Sequence, residues 1–437
     1  MVGLSWYGRV IYLLSKVRLA GRCMSEAKKV LVVGGGIAGL TAAWELANLQ
    51  VEVLLIDQAP FLGGHAAQFA CKAIDRCLKC NTCLVEQRLR EVVGAPGIDV
   101  RLQTRLTGVT RQNGRFQVLL SQGPHYIDAN RCTDCGICYE RCLGKAEGAI
   151  RLAPSHKNHP FYFINPEQCL CDGLGKARQC QSACPEGAID LDRQDSEITA
   201  AVDAVVLATG YVPFDPRQKP QFNFDAYPNM LTGQELERQL RDQGRVLRPS
   251  DGQPAQKVAF VQCVGSRDLS LNHTFCSRVC CGYALRLGLR LSHAQPDTKI
   301  SVFYMDIQNF GKDFDRYLRA ANSRFRFIRS LPGDYFPAPE DRIAVHYFEP
   351  QQRTVVSETF DLVVLSVGIM PRPENQVLCQ MLGLEVNEHG FVINDPAADA
   401  AGVVVAGTVE GPRDIAESIT HASRAAAQLA RHLGVLP

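Results

Sequence analysis

The chain of 437 residues carries 47 Lys and Arg against 45 Asp and Glu, a formal charge of +2, with 46% hydrophobic residues. That length suffices for two or three domains with a true core, and the near-neutral balance argues against a nucleic-acid surface or a funnel for acidic substrates. Eighteen cysteines in metal-type spacings, with no cleavable signal ahead of them, point to a reducing cytoplasm and away from a secreted disulfide framework.

Residues 1–28 read as a leader or surface helix. Trp6, Val10, Ile11, Leu13, Leu14 and Val17 form an apolar face against Arg9, Lys16 and Arg18, as in a basic helix lying on a membrane. No run approaches the roughly 20 apolar residues that span a bilayer. LAGRC (Leu19 to Cys23) misses a lipoprotein-type cleavage site because Arg22 intervenes, and Met24-Ser25 offers the alternative that translation starts there, leaving the leader untranslated.

The organising stretch is VLVVGGGIAGL, Val30 to Leu40. Lys28 to Val33 predicts a strand, and Gly34, Gly36 and Gly39 supply a G-x-G-x-x-G turn into a helix through Ala42, Ala43, Leu46 and Ala47. The glycines let backbone N–H groups approach a pyrophosphate at a helix N-terminus. A second strand, VEVLLID, ends in Asp57, placed to take ribose hydroxyls. A Gly-rich turn without a ligand is the alternative, and strand, helix, strand and acid in this order weigh against it.

Gly63 and Gly64 resemble the paired glycines that two-dinucleotide-binding flavoproteins place beside FAD. DAVVLATG, ending at Gly210, resembles the second fingerprint of that superfamily, and GVVVAGTVEGPRDI, with Gly407 and Thr408, its C-terminal flavin-contacting one. Thr408 stands where most of those enzymes carry an Asp. The resemblance implies FAD, with residues 29–125 as the first part of its domain.

Cys71, Cys77, Cys80 and Cys83 follow at C-x5-C-x2-C-x2-C, a spacing that wraps a cuboidal iron-sulfur cluster, with zinc as the alternative. Residues 98–128 alternate like antiparallel strands turned at Asn113-Gly114. An insertion at 126–194 holds Cys132, Cys135, Cys138 and Cys142, then Cys169, Cys171, Cys180 and Cys184. It resembles a two-cluster bacterial ferredoxin, in which the last cysteine of each run serves the other cluster. That pattern groups Cys132, Cys135, Cys138 and Cys184 around one 4Fe-4S cluster, and Cys142, Cys169, Cys171 and Cys180 around the other. The second run departs in its spacing, and Leu143 replaces the usual Pro after Cys142.

Residues 195–255 read as return strands from Ile198 into VVLATG, then a linker with a short helix near Gly233 to Leu240. Residues 256–345 read as a second, degenerate nucleotide-binding domain. At KVAFVQCVGSRD, Gln262 and Cys263 occupy the places of phosphate-cradling glycines and only Gly265 remains. Cys276, Cys280 and Cys281 complete C-x12-C-x3-C-C, so a cluster replaces nicotinamide as the flavin's electron partner, with buried structural cysteines as the alternative. Residues 346–437 complete the FAD domain. Cys23 and Cys379 remain as ordinary thiols. Asp306, Lys312 and Asp313 read as a solvated loop before a partner or flavin contact, and no acid-base or nucleophile constellation appears.

FVQCVGSRD, CSRVCC, YMDI and AGTVEGPRDI resemble the A subunits of heterodisulfide reductase and their relatives, including that of the quinone-interacting membrane-bound oxidoreductase. The likeness covers most of the chain from Lys29. It implies that Cys263, Cys276, Cys280 and Cys281 hold a 4Fe-4S cluster close to FAD. Arg286 stands where archaeal members place a lysine near the flavin, and a fixed guanidinium fork is a different group from a movable ammonium. The fold expected is α/β, a thioredoxin-reductase-like two-dinucleotide-binding flavoprotein with an inserted two-cluster ferredoxin module. The function expected is that of an FAD and iron-sulfur electron-transfer subunit with four clusters. Its expected partners are the other subunits of a heterodisulfide-reductase-like or quinone-interacting complex, placed in the cytoplasm or at the inner face of the cell membrane through them. The rivals are an NAD(P)H-dependent enzyme resembling the small subunit of glutamate synthase, opposed by the missing second fingerprint, and a non-catalytic iron-sulfur scaffold.

Overall fold

The computed structural model describes residues 27–128, 130–145, 148–153, 161–165, 168–169, 178–308 and 314–437. The leader with Cys23, and Cys171, Lys312 and Asp313, lie outside the described residues.

The chain enters β1 (Lys29–Val33), turns through the glycines into α1 (Ile37–Asn48) and returns as β2 (Glu52–Ile56). All but the first residue of each strand is buried, as parallel strands covered on both faces must be. After α2 (Thr82–Val92), β3 (Ile98–Arg101) pairs parallel with β2. Its residues were expected in an antiparallel set. That set begins instead with β4 (Thr104–Gln112) and β5 (Arg115–Gln122), turned at Asn113 and Gly114, both at positive φ as a tight hairpin requires.

The insertion leaves and returns at one point: Asp128 N–H donates to the Ala188 carbonyl at 2.9 Å, and Asp190 N–H to that of Tyr126 at 2.8 Å. It contains α3 (Ile137–Arg141), the antiparallel pair β6 (Ile150–Ala153) and β7 (Phe161–Ile164), and α4 (Gln179–Ser182). Ile127, Ile150, Ile164 and Ile189 form its small core together with cysteines. The chain resumes in β8 (Ser196–Val202), antiparallel to β5, and β9 (Ala204–Leu207), parallel to β1.

A two-residue strand, β10 (Val212–Pro213), precedes the second unit. This unit comprises β11 (Met230–Thr232), α5 (Gly233–Gln243) with its Thr232/Glu235 capping box, β12 (Lys257–Val264), α6 (Cys280–Ala294), β13 (Lys299–Phe303), α7 (Phe314–Asn322) and β14 (Phe325–Ile328). An antiparallel meander, β15 (Asp334–Ala338), β16 (Arg342–Glu349) and β17 (Thr354–Phe360), leads to β18 (Leu362–Val367), which inserts between β11 and β12. β19 (Ile369–Met370) pairs with β10. Then α8 (Asn375–Leu382), α9 (Pro396–Ala400) and β20 (Val403–Val405) close the first sheet in the order β20-β9-β1-β2-β3, and α10 (Ile415–His432) is the last helix described.

Two expected boundaries move. The break at 345–346 would cut through β16, and β11 with α5, expected in a return-and-linker stretch, belongs to the second sheet. The cause is pairing: an apolar run such as Leu362–Val367 fits either sheet, and only its hydrogen-bonded neighbours assign it.

Candidate functional site

A cleft of about 550 Å³ runs between the two units. Its floor begins at the β1–α1 turn, where Gly34 sits at φ +107° and a Cβ would meet the Ala208 carbonyl at 2.4 Å. Gly36 differs: a Cβ there would meet nothing within 4 Å, so protein packing does not demand glycine, and its backbone stays open to the cleft. Gly63 joins the same turn, its N–H donating to the Gly35 carbonyl at 2.7 Å, and Gly64 faces Gly36. Gly34, Gly36, Asp57, Gly63, Gly64, Gly210 and Thr408 all line the cleft.

Gly39 and Gly407 are not among its lining residues. Gly39 is buried against Gly34, which makes its role helix–strand packing. Gly407, at φ +79°, is fixed from both sides: its N–H donates to His421 Nδ1 at 2.9 Å, and its carbonyl accepts from Arg413 at 3.0 Å. The other nitrogen of His421 lies 3.0 Å from Glu410, which also pairs with Arg413. The His421 hydrogen bond, followed by the Arg413 charge, holds the Glu410 carboxyl below its ordinary range against the opposing effect of burial.

Asp57 uses both oxygens on the backbone, accepting from Gly35 N–H at 2.6 Å and Ala59 N–H at 2.7 Å. Burial nevertheless raises its pKa, against those bonds and the nearby Arg372 charge. Arg372 lines the cleft, and among the described residues its buried Nε has no hydrogen-bond partner. An open glycine cradle and an orphaned guanidinium donor together fit an anionic dinucleotide.

Sequence reasoning missed several residues here. His65 stands next to the paired glycines, with Nε2 3.0 Å from the Tyr211 carbonyl, and burial pulls its pKa down. Lys72 and Glu237 form a buried pair, Nζ to Oε1 2.5 Å, on the cleft wall. Position beside Gly63-Gly64 was a usable signal for His65. Nothing local announces the partner of Lys72, 165 residues away.

The cysteines fall into recognisable places. Cys132, Cys135, Cys138 and Cys184 line one small cavity of the insertion, and Cys142, Cys169 and Cys180 line another. Burial, then the neighbouring thiols Cys132, Cys135 and Cys184, pushes Cys138 up to about 12. The Cys77–Cys83 loop shares two left-handed positions with the Cys132–Cys138 loop. Lys79 (φ +53°) matches Asp134 (+58°), Asn81 (+62°) matches Gly136 (+76°), and each loop then enters a helix, α2 or α3. Cys80 lines the cleft, while Cys71, Cys77 and Cys83 are exposed. Lys79 N–H donates to Cys77 Sγ and Ala188 N–H to Cys184 Sγ, both at 3.3 Å.

Cys263, at φ +60° in a register break of β12, faces Cys276 and the N-terminus of α6, where Cys280 and Cys281 are buried. Burial, then the Cys281 thiol, pushes Cys263 up to about 12, and Cys280 is raised by the same causes. Thiols gathered this way ionise when they coordinate a metal, which suits a positively charged iron core. Among the described residues no three His, Cys, Asp or Glu side chains converge on a single-ion site. Arg278, Val279, Gly282 and Tyr283 of the same turn line the cleft. Arg286 is no free cation: it donates to the carbonyls of Leu78 (2.9 Å) and Lys79 (3.2 Å), tying α6 to the Cys77–Cys80 loop. Asp306 is paired with Arg267. Cys379 lies apart, its thiol against the Glu385 carbonyl.

No helix among the described residues is long and apolar enough to cross a membrane. Residues 32–80 match the family of NAD(P)-binding Rossmann-like domains. The iron-sulfur A subunit of the CoB–CoM heterodisulfide reductase of Methanocaldococcus jannaschii is 33% identical, covering 91% of this chain and 63% of that protein. The A subunit of the H(2):CoB-CoM heterodisulfide,ferredoxin reductase of Methanothermobacter marburgensis is 31% identical, covering 93% and 64%. The chain thus spans less than two thirds of these relatives' length. Among solved structures, thioredoxin reductases from T. acidophilum (13% identity, TM-score 0.51, covering 92% of this chain and 98% of that one) and Lactococcus lactis (14%, 0.51, 94% and 100%) share the fold.

Proposed function

We propose, from the premise that this chain belongs to the family of heterodisulfide reductase A subunits, that it carries the flavin and iron-sulfur electron transfer of an oxidoreductase complex. FAD would occupy the cleft. Four 4Fe-4S clusters would be held by Cys71, Cys77, Cys80 and Cys83; by Cys132, Cys135, Cys138 and Cys184; by Cys142, Cys169, Cys171 and Cys180; and by Cys263, Cys276, Cys280 and Cys281. When bound, these groups supply two-electron chemistry at the flavin and one-electron steps at the clusters.

The observation that carries the reading is the shared wall: Val279 and Gly282, beside Cys280 and Cys281, line the same cleft as Gly36 and Gly64, and so does Cys80. The chain's own residues bind and orient. Gly36 leaves room for the pyrophosphate, Arg372 offers it a donor, and the Arg413–His421 clamp fixes the Gly407–Thr408 turn. Arg286 keeps the two cysteine loops nearest the cleft in register.

The partners in this reading are the other subunits of a heterodisulfide-reductase-like or quinone-interacting complex, with any membrane association made through them. Anoxic purification with neighbouring gene products, followed by flavin, iron and sulfide analysis, tests it. A complex containing neither flavin nor iron would end the proposal.

A further inference from the structure

We propose that the Arg267–Asp306 ion pair sets the reduction potential of the cluster at Cys263, Cys276, Cys280 and Cys281, with Arg267 as its stabilising cation and Asp306 as the opposing charge. This rests on the reading of those cysteines as ligands.

The guanidinium forks onto the carboxylate, Nη1 to Oδ1 and Nη2 to Oδ2, the latter at 3.1 Å. Both partners are held against the thiols by backbone. Arg267, at φ +55°, lies in the loop joining Cys263 to Cys276, and its N–H donates at 2.9 Å to the carbonyl of Phe275, the residue before Cys276. Asp306 follows β13, and its carbonyl oxygen stands 3.9 Å from Cys281 Sγ. The first unit offers a comparison: there Asp57, after the second strand, takes the N–H of Gly35 in the glycine turn. In the second unit the acid after the corresponding strand takes an arginine from the loop instead.

The pair's charges reach the thiols. Asp306 stands against Cys281 Sγ through its carbonyl and carries Arg267 on its carboxylate, so both charges lie beside the proposed ligands. One electron, from a bound reduced flavin or from dithionite, would make the cluster more negative by one unit. A fixed cation stabilises that state and a fixed anion destabilises it. The side chains are 27% and 40% exposed, so the effect is partly screened.

The test is a dithionite titration of the full chain with mediators, followed by electron paramagnetic resonance, in which the signal lost in Cys281→Ala identifies the centre. Arg267→Gln should disfavour the reduced cluster by about tenfold, about 59 mV for a one-electron couple. Asp306→Asn should shift it the opposite way, and Arg267→Lys should stay near the parent. If Arg267→Gln loses its iron, the other two variants carry the test. Shifts of the same sign, or none, with iron content and line shape preserved, would make the pair a loop lock and overturn the inference. Full iron in Cys281→Ala would instead remove the ligand reading on which it rests.

Discussion

Gly39 packs so closely on Gly34 that a Cβ built on Gly39 would stand 1.8 Å from the Gly34 carbonyl oxygen. Gly36, three residues earlier, faces open space. The two glycines of one fingerprint therefore stand in different surroundings, one packed and one open to the proposed ligand. Gly39→Ala should be destabilised by about 1–3 kcal/mol or more through backbone overlap. Gly36→Ala should fold with the parent's melting temperature yet retain FAD about tenfold less tightly, because its methyl occupies the pyrophosphate approach. Thermal unfolding of the flavin-free chains and flavin titration separate the two. Equal flavin affinity in Gly36→Ala and parent would refute the assignment.

Nicotinamide should find no seat in the second unit. Gly265 is the only glycine left in its turn, and a Cβ there would lie 2.0 Å from the ring of Phe214. The buried Phe214 ring packs on that glycine, and Gln262 and Cys263, within β12, bring no further glycine to the turn. NADH and NADPH should therefore fail to bleach the flavin of the isolated chain under anoxic conditions. Rapid bleaching in a stopped-flow trace would restore the nicotinamide-dependent rival.

Lys72 and Glu237 form a pair whose side chains are each 6% exposed. Glu237 also accepts the Ala70 N–H at 2.7 Å, and the Lys72 ammonium lies 4.9 Å from the Phe69 ring centre. Removing one charge leaves the other buried and unpaired, so Lys72→Met should cost about 3–5 kcal/mol. Lys72→Met combined with Glu237→Gln removes both charges and keeps an acceptor for Ala70, and should recover much of that loss. A single variant within about 1 kcal/mol of the parent in denaturant unfolding would show that the pair is not held as described.

What the sequence made legible was local. The β1–turn–α1–β2 unit and Asp57 follow from periodicity and glycine spacing, and the C-x2-C-x2-C loops carry their geometry in a few backbone angles, which is why Lys79 and Asn81 repeat Asp134 and Gly136. Long-range relations stayed hidden. The place of β18 between β11 and β12 depends on pairing partners that an apolar run does not specify. Arg286 could be read only as a departure from lysine, since its partners, the carbonyls of Leu78 and Lys79, lie more than 200 residues away. Asp306, read as a solvated loop residue, is an ion-pair partner of Arg267 because the fold returns that loop to the Cys263 turn.

Two buried cysteines, Cys281 and Cys379, should respond differently to the same substitution. Cys281 stands with Cys280 in the first turn of α6, near Cys263 and Cys276, whereas Cys379 lies in the first unit, where burial pushes its thiol up to about 11 and its Sγ rests 3.9 Å from the Glu385 carbonyl. If four cysteine sets each hold four irons, the parent carries about sixteen irons and one FAD. Cys281→Ala should lose up to about four of those irons or change a cluster signal. It should keep FAD, whose proposed cradle at Gly34, Gly36, Asp57 and Thr408 lies elsewhere on the cleft wall. Electron passage between the flavin and the inserted module should slow. Cys379→Ala should keep all its iron, because the thiol it removes lies away from every cysteine set. Both substitutions leave a small cavity, since a buried cysteine packs as a small hydrophobe, so Cys379→Ala also measures the packing cost that must be subtracted from the Cys281 result. Flavin occupancy comes first as the check on folding. Full iron and unaltered electron transfer in a flavin-replete Cys281→Ala would make Cys281 a structural thiol, and the replacement of nicotinamide by a cluster would lose its main support.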